Sequence, residues 1–177
     1  SQDDRPYDLL LSGGVVIDGV GAPRQQADVA IRDGRIVAVG NLDPKDAAKT
    51  IDVTGKVVAP GFIDLHSHAG EGLAGNDPER WTAPNLITQG ITTVVLNPDG
   101  YGPESIESQK KSLVGRFAPN AILMAPHNTI RTKVMGNGAR RAATHEQIDA
   151  MRAIVREWMI GGAYGLTAGL EYQPGIW

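Results

Sequence analysis

Two histidines one residue apart, His66 and His68, follow directly on the apolar run Phe62-Ile63-Asp64-Leu65. Side chains two apart on an extended strand project to the same face. Two imidazoles presented side by side at a strand's end can share one divalent ion through their ring nitrogens. The chemistry open to such a pair is metal-assisted hydrolysis, in which an ion acidifies water and polarises a carbonyl. A bare His-x-His also describes two surface histidines in a loop. The preceding Pro60-Gly61-Phe62-Ile63-Asp64 weighs for the ligand reading. Asp64 is placed to support that strand or one of the histidines.

The elements that must position this pair fall into two textures. The first ~60 residues are short β-type runs broken by glycine, as expected of a small antiparallel β unit. Its strongest signal is Asp33-Gly34 between two alternating runs, which predicts a hairpin with a type I′ turn. From Ala59 onward, apolar runs alternate with helical segments, the pattern of βα units on a parallel sheet. Strands are expected near residues 61–66, 92–96, 121–125 and 163–168, and helices near 77–89, 103–116 and 144–159. The last is the clearest: Thr144 and Gln147 form a capping box, and Ile148, Met151, Ile154, Val155 and Met159 share one face. In a parallel α/β barrel the C-terminal strand ends collect the active site, which is where His66 and His68 would stand.

The stretch Val58-Ala-Pro-Gly-Phe-Ile-Asp-Leu-His-Ser-His68 resembles the first barrel strand of the amidohydrolase superfamily, and Gly34-Arg-Ile-Val-Ala-Val-Gly40 resembles strands of its β-sandwich. Two further segments, Pro126-His-Asn-Thr-Ile-Arg131 and Tyr164-Gly-Leu-Thr-Ala-Gly-Leu-Glu-Tyr-Gln-Pro-Gly175, resemble the D-aminoacylase (N-acyl-D-amino-acid deacylase) branch. The resemblance implies an α/β fold: β-sandwich strands over residues 1–58, then the N-terminal half of a (β/α)₈ TIM-type barrel over 59–177. It also implies a hydrolase of amide bonds carrying one or two divalent ions, zinc foremost. N-acyl-D-amino acids or related small amides and peptides are the implied substrates. The alternatives are a dipeptidase or cyclic-amide hydrolase of the same superfamily, or a non-catalytic scaffold.

Site roles carried over by the resemblance are as follows. His66 and His68 match the metal ligands of the first strand, and Glu171 stands where a carboxylate can bridge two ions, the alternative being an exposed residue before a turn. The branch often carries Asn-Cys-Gly after the second strand, with the cysteine as ligand. This chain has Asn97-Pro98-Asp99-Gly100 and no cysteine. Asp99 is thus a metal or substrate-amine ligand, or simply a turn residue, since Pro-Asp-Gly turns readily by itself. The departure leaves metal number and substrate class open. His127, Arg131, Asn97 and Tyr172 are the candidate substrate-binding residues. Arg131 would offer its planar fork to a carboxylate, and the alternative for His127 is a structural loop.

With 17 basic and 20 acidic residues and a formal charge of −3, the chain lacks the basic surface that nucleic-acid binding needs. No apolar run is long enough to span a membrane. The start Ser1-Gln2-Asp3-Asp4 without Met reads as signal-peptide removal, hence a periplasmic or secreted protein, or else as a cloning remnant on a cytoplasmic one. A (β/α)₈ barrel takes about 250 residues, more than this chain supplies after its β unit. The expectation is a second polypeptide, from the same precursor, that completes the barrel and brings the general-base aspartate. A truncated chain is the alternative, and the assembled unit could form homo-oligomers.

Overall fold

The computed structural model describes residues 5–115, 117–171 and 173–176. The chain divides into two compact units, Ser1–Pro60 and Gly61–Trp177.

In the first unit, β1 (Tyr7–Val16), β2 (Gln25–Arg32), β3 (Arg35–Gly40), β4 (Ala47–Asp52) and β5 (Val57–Val58) form one sheet. β3, β2 and β1 run antiparallel in that order, while β4 and β5 both pair with β1 in parallel. The sheet is therefore mixed rather than antiparallel. The reason is the connection through the 3₁₀ turn Pro44–Asp46, which carries the chain from the β3 edge to the far side of β1. The expected hairpin is present: Asp33 and Gly34 take φ of 51° and 70° between the paired Arg32 and Arg35. β1 bulges between Leu11 and Gly14, and Asp28 of β2 occupies the gap. Its carboxylate accepts from the Ser12 hydroxyl (3.0 Å), the Gly13 N–H (2.7 Å) and the Leu42 N–H (3.0 Å). The Leu42 N–H first, then that of Gly13, hold its pKa below the usual aspartate value, against the opposing effect of burial. Leu10, Ala30 and Ala47 pack on one face of the sheet and Val16, Ala27 and Val29 on the other.

In the second unit, β6 (Phe62–Asp64), β7 (Ile91–Leu96) and β8 (Asn120–Leu123) pair in order and in parallel. β9 (Ala125–Pro126) continues β8 after Met124 and pairs in parallel with β10 (Leu166–Thr167). Between β6 and β7 lie α1 (Gly70–Ala74), α2 (Pro78–Trp81) and α3 (Pro84–Ile87), and between β7 and β8 lies α4 (Ile106–Leu113). α5 (His127–Met135) and α6 (His145–Ile160) precede β10. The alternation makes this unit a mixed α/β fold. Val94, Leu96, Ile106, Leu123, Ile130 and Trp158 are among its buried core. Gly61 is required where it stands, since a Cβ there would lie 2.0 Å from the Thr92 hydroxyl oxygen on β7.

Four local expectations are corrected. Residues 77–89 are two short helices instead of one, because Ala83 takes a left-handed conformation (φ 47°, ψ 52°) and Pro84 has no N–H to continue the ladder. The first strand stops at Asp64 instead of His66, because the Asp64 carboxylate takes the His66 N–H at 3.1 Å. Residues 127–135 form a helix where a loop was one reading. On α6 the buried residue is Trp158, 2% exposed, whereas Met159 is 44% exposed. Trp158 lies seven residues after Met151, on the stripe that Ile154 and Val155 share. The capping box is present: the Gln147 N–H donates to Thr144 Oγ1 (3.3 Å) and the Thr144 N–H to Gln147 Oε1 (3.1 Å).

Candidate metal centre

The backbone beyond β6 is pinned by Ser67. This residue is buried, and its N–H donates to the Val95 carbonyl of β7 at 3.1 Å. With Ser67 turned inward, the flanking His66 and His68 side chains are both exposed, their ring centroids 5.3 Å apart and the planes inclined at 54°. Asp99 arrives from the turn that closes β7, in which Asn97 and Asp99 both have positive φ (66° and 58°). Its Oδ2 lies 3.4 Å from His66 Nε2 and 3.3 Å from His68 Nε2.

Those separations suit a metal. Nitrogen and oxygen ligands held ~2.1 Å from one ion at tetrahedral angles stand ~3.4 Å from each other. The three donor atoms all lie within 4.8 Å of one another, and no other such group of three converges among the described residues. Two imidazole nitrogens and a carboxylate oxygen form a donor set for zinc or another first-row divalent ion. The residues present therefore fit such an ion. Asp99 is at once a turn residue and part of this cluster. The cleft beside it, about 930 Å³, is lined by Ser67, His68, Asp99, Tyr101, Gln109 and Thr129 among others.

The remaining candidates are placed differently. Asn97 is buried, and its amide is spent on the fold: it exchanges hydrogen bonds with the Gln109 side chain (2.9 and 2.8 Å) and donates to the Met124 carbonyl (2.7 Å). The Thr167 hydroxyl donates to its main-chain carbonyl. His127 opens α5, half-buried, with Nδ1 2.9 Å from Asn128 Oδ1. Arg131 is buried, with Nε donating to the Ala139 carbonyl at 2.9 Å and an Nη donating to that of Arg141. Burial, and secondarily the charge of Arg141, lower its pKa. This guanidinium holds the 139–141 loop, where a partner for a substrate carboxylate was expected. Glu171, beyond β10, is exposed, and its carboxylate is not among the converging donors. Tyr172 lies outside the described residues.

Sequence reasoning missed Asn128, Gln109 and Ser67. Gln109 carried a readable signal, a polar residue on the α4 face shared by Ile106 and Leu113. Asn128 and Ser67 carried none, because nothing local distinguishes a buried amide or hydroxyl from an exposed one.

No family model matches the chain. It is 37% identical to the D-aminoacylase of Alcaligenes xylosoxydans xylosoxydans over 97% of its own length and 40% of that protein. Its structure superposes on that of a D-aminoacylase with a binuclear metal centre at a TM-score of 0.87 and 36% identity, covering 96% of this chain and 40% of the other. An N-acyl-D-glutamate deacylase from Bordetella bronchiseptica, solved with zinc and a phosphonate inhibitor, superposes at 0.84 with 32% identity over 96% and 40%. The chain thus spans about two fifths of the relatives it matches. Over the length it shares with them, the chain is homologous to D-aminoacylases and N-acyl-D-amino-acid deacylases, and its structure matches neighbours of the amidohydrolase superfamily.

Proposed function

We propose that this chain carries the metal-binding part of a hydrolase that cleaves amide bonds in N-acyl-D-amino acids or related small amides. The observation behind this reading is the meeting of His66, His68 and Asp99 at coordination spacing, in a chain related to D-aminoacylases. His66 and His68 would hold a zinc-type ion through Nε2, and Asp99 through Oδ2. When bound, such an ion supplies Lewis acidity that polarises a carbonyl and acidifies water near neutral pH. The chain's own residues do the rest of what falls to this half. Ser67 keeps the two imidazoles facing one way, and Tyr101, Gln109 and Thr129 supply polar wall to the cleft. Glu171 is the proposed donor toward a second ion.

We place the general base, and the remaining strands of a (β/α)₈ barrel, in sequence beyond these residues, on the same polypeptide or on a second one. Exposed apolar side chains on and beside β6 and β10, the first and last of the parallel strands in the chain, support this. Phe62, Ile63 and Leu65 are 64%, 56% and 77% exposed, and Tyr164, Leu166 and Leu170 are 78%, 50% and 64% exposed. Strands of a parallel sheet are ordinarily covered on both faces, so these residues suit burial by further strands.

The test is intact mass, metal content and turnover of the purified protein with N-acyl-D-amino acids, their L-enantiomers, dipeptides and hydantoins. Expected are bound zinc-type metal and D-selective deacylation, lost to a chelator and restored by zinc. Turnover of dipeptides or hydantoins alone would move the substrate class within the superfamily. Protein that takes up no metal would overturn the reading and leave a scaffold.

A further inference from the structure

Asn128 is wholly buried, at 0% exposure, and it is not among the converging donors. Its side-chain amide spends both hydrogens on main-chain carbonyls of two separate segments: Nδ2 donates to Asp99 at 3.1 Å and to Gly169 at 3.2 Å. Its Oδ1 lies 2.9 Å from His127 Nδ1. The fit is close, since a Cβ added to Gly100 would stand 3.0 Å from Asn128 Cγ. Asp99 meanwhile holds φ 58° and ψ 14°, a left-handed conformation that aspartate tolerates in turns.

The direction of the Asp99 carboxylate follows from that backbone. The carbonyl that Asn128 holds belongs to the same residue whose Cα–Cβ bond aims Oδ2 at the two imidazoles. We propose that Asn128 is a positioning residue for the metal centre: its buried amide fixes the main chain of Asp99 so that the carboxylate meets His66 and His68. This rests on the metal reading given above. A primary amide suits the task because it carries two N–H donors from one planar group, enough to bridge two carbonyls. A carboxylate of the same shape would set an acceptor against each of them.

The test uses the full-length protein and two readouts other than turnover: zinc affinity by chelator competition, and the visible spectrum of the cobalt-substituted site. Circular dichroism and thermal melting of the metal-free protein control for folding. Asn128→Ser and Asn128→Asp are expected to weaken zinc binding roughly 10- to 100-fold, the size seen when a residue that orients a ligand is removed. The cobalt spectrum should change with it. In an Asp99→Ala background the same Asn128→Ser change should leave the affinity within about twofold, since its effect runs through Asp99. Equal loss in both backgrounds, a wild-type affinity and spectrum, or unfolding of every Asn128 variant would each assign Asn128 to the fold alone and overturn the proposal. Failure of the metal reading would look different: His68→Ala would bind zinc as tightly as the unaltered protein.

Discussion

Oδ2 of Asp99 lies 3.3 Å from Nε2 of His68, joining the turn after β7 to the segment after β6. Parallel pairing of β6 with β7 brings the two strand ends to the same edge of the sheet, as it does wherever parallel strands feed one site. What it gathers here is a nitrogen and oxygen donor set with no thiolate, which is harder in character than a cysteine-containing one.

Zinc affinity should respond to Asp99 more than to any residue that merely supports it. Asp99→Ala is expected to lower it by more than about 100-fold, beyond the usual loss for an outer partner of a ligand. Asp99→Cys should keep binding but turn preference toward zinc and cadmium and away from manganese. Competition titration with each ion measures both, and unchanged affinity in Asp99→Ala would remove the carboxylate from the site.

Arg131 should behave as a structural residue. Arg131→Met leaves the carbonyls of Ala139 and Arg141 without this donor, at about 1–3 kcal/mol for the buried one at Ala139. A lower melting temperature is expected, with KM for acyl-amino acids unchanged in the protein that folds. A selective rise in KM for carboxylate-bearing substrates would instead put the guanidinium in contact with substrate.

Acid should loosen the first unit through Asp28. Its folded-state pKa lies below the ordinary one, so its contribution is complete above about pH 4, the unfolded value. That contribution fades as pH falls through the lower folded value. Asp28→Asn should abolish this part of the acid dependence and destabilise the unit by about 1–3 kcal/mol, because the amide keeps one acceptor oxygen and sets its NH2 against the N–H of either Gly13 or Leu42. Urea unfolding at a series of pH values, with and without the substitution, reads both effects.

Trp158→Ala should be among the costliest substitutions in the second unit. The indole is 2% exposed within the cluster that includes Leu96, Ile106 and Leu123. Emptying such a site costs about 3–5 kcal/mol. Met159→Ala, on the exposed face, should cost far less, and comparative thermal melts would expose any reversal of that order.

Much of this molecule could be read along the chain because the relevant physics is local. Asp33-Gly34 accepts the two positive φ values of its hairpin, Thr144 and Gln147 cap α6 across one turn, and alternation places four parallel strands near their actual positions. His66 and His68 stood out through their spacing together with the Pro60-Gly61-Phe62-Ile63-Asp64 run before them. The tertiary structure decided what depends on non-local contact. It set β4 parallel to β1, and it buried Trp158 in place of Met159. It turned Arg131 onto a loop and drew Asp99 out of an ordinary turn tripeptide toward two imidazoles. A Pro-Asp-Gly turn reads the same whether its carboxylate faces water or a ligand. Non-local contacts give that side chain its direction, among them the pairing of β6 with β7 and, on the proposal above, the buried amide of Asn128 against the Asp99 carbonyl.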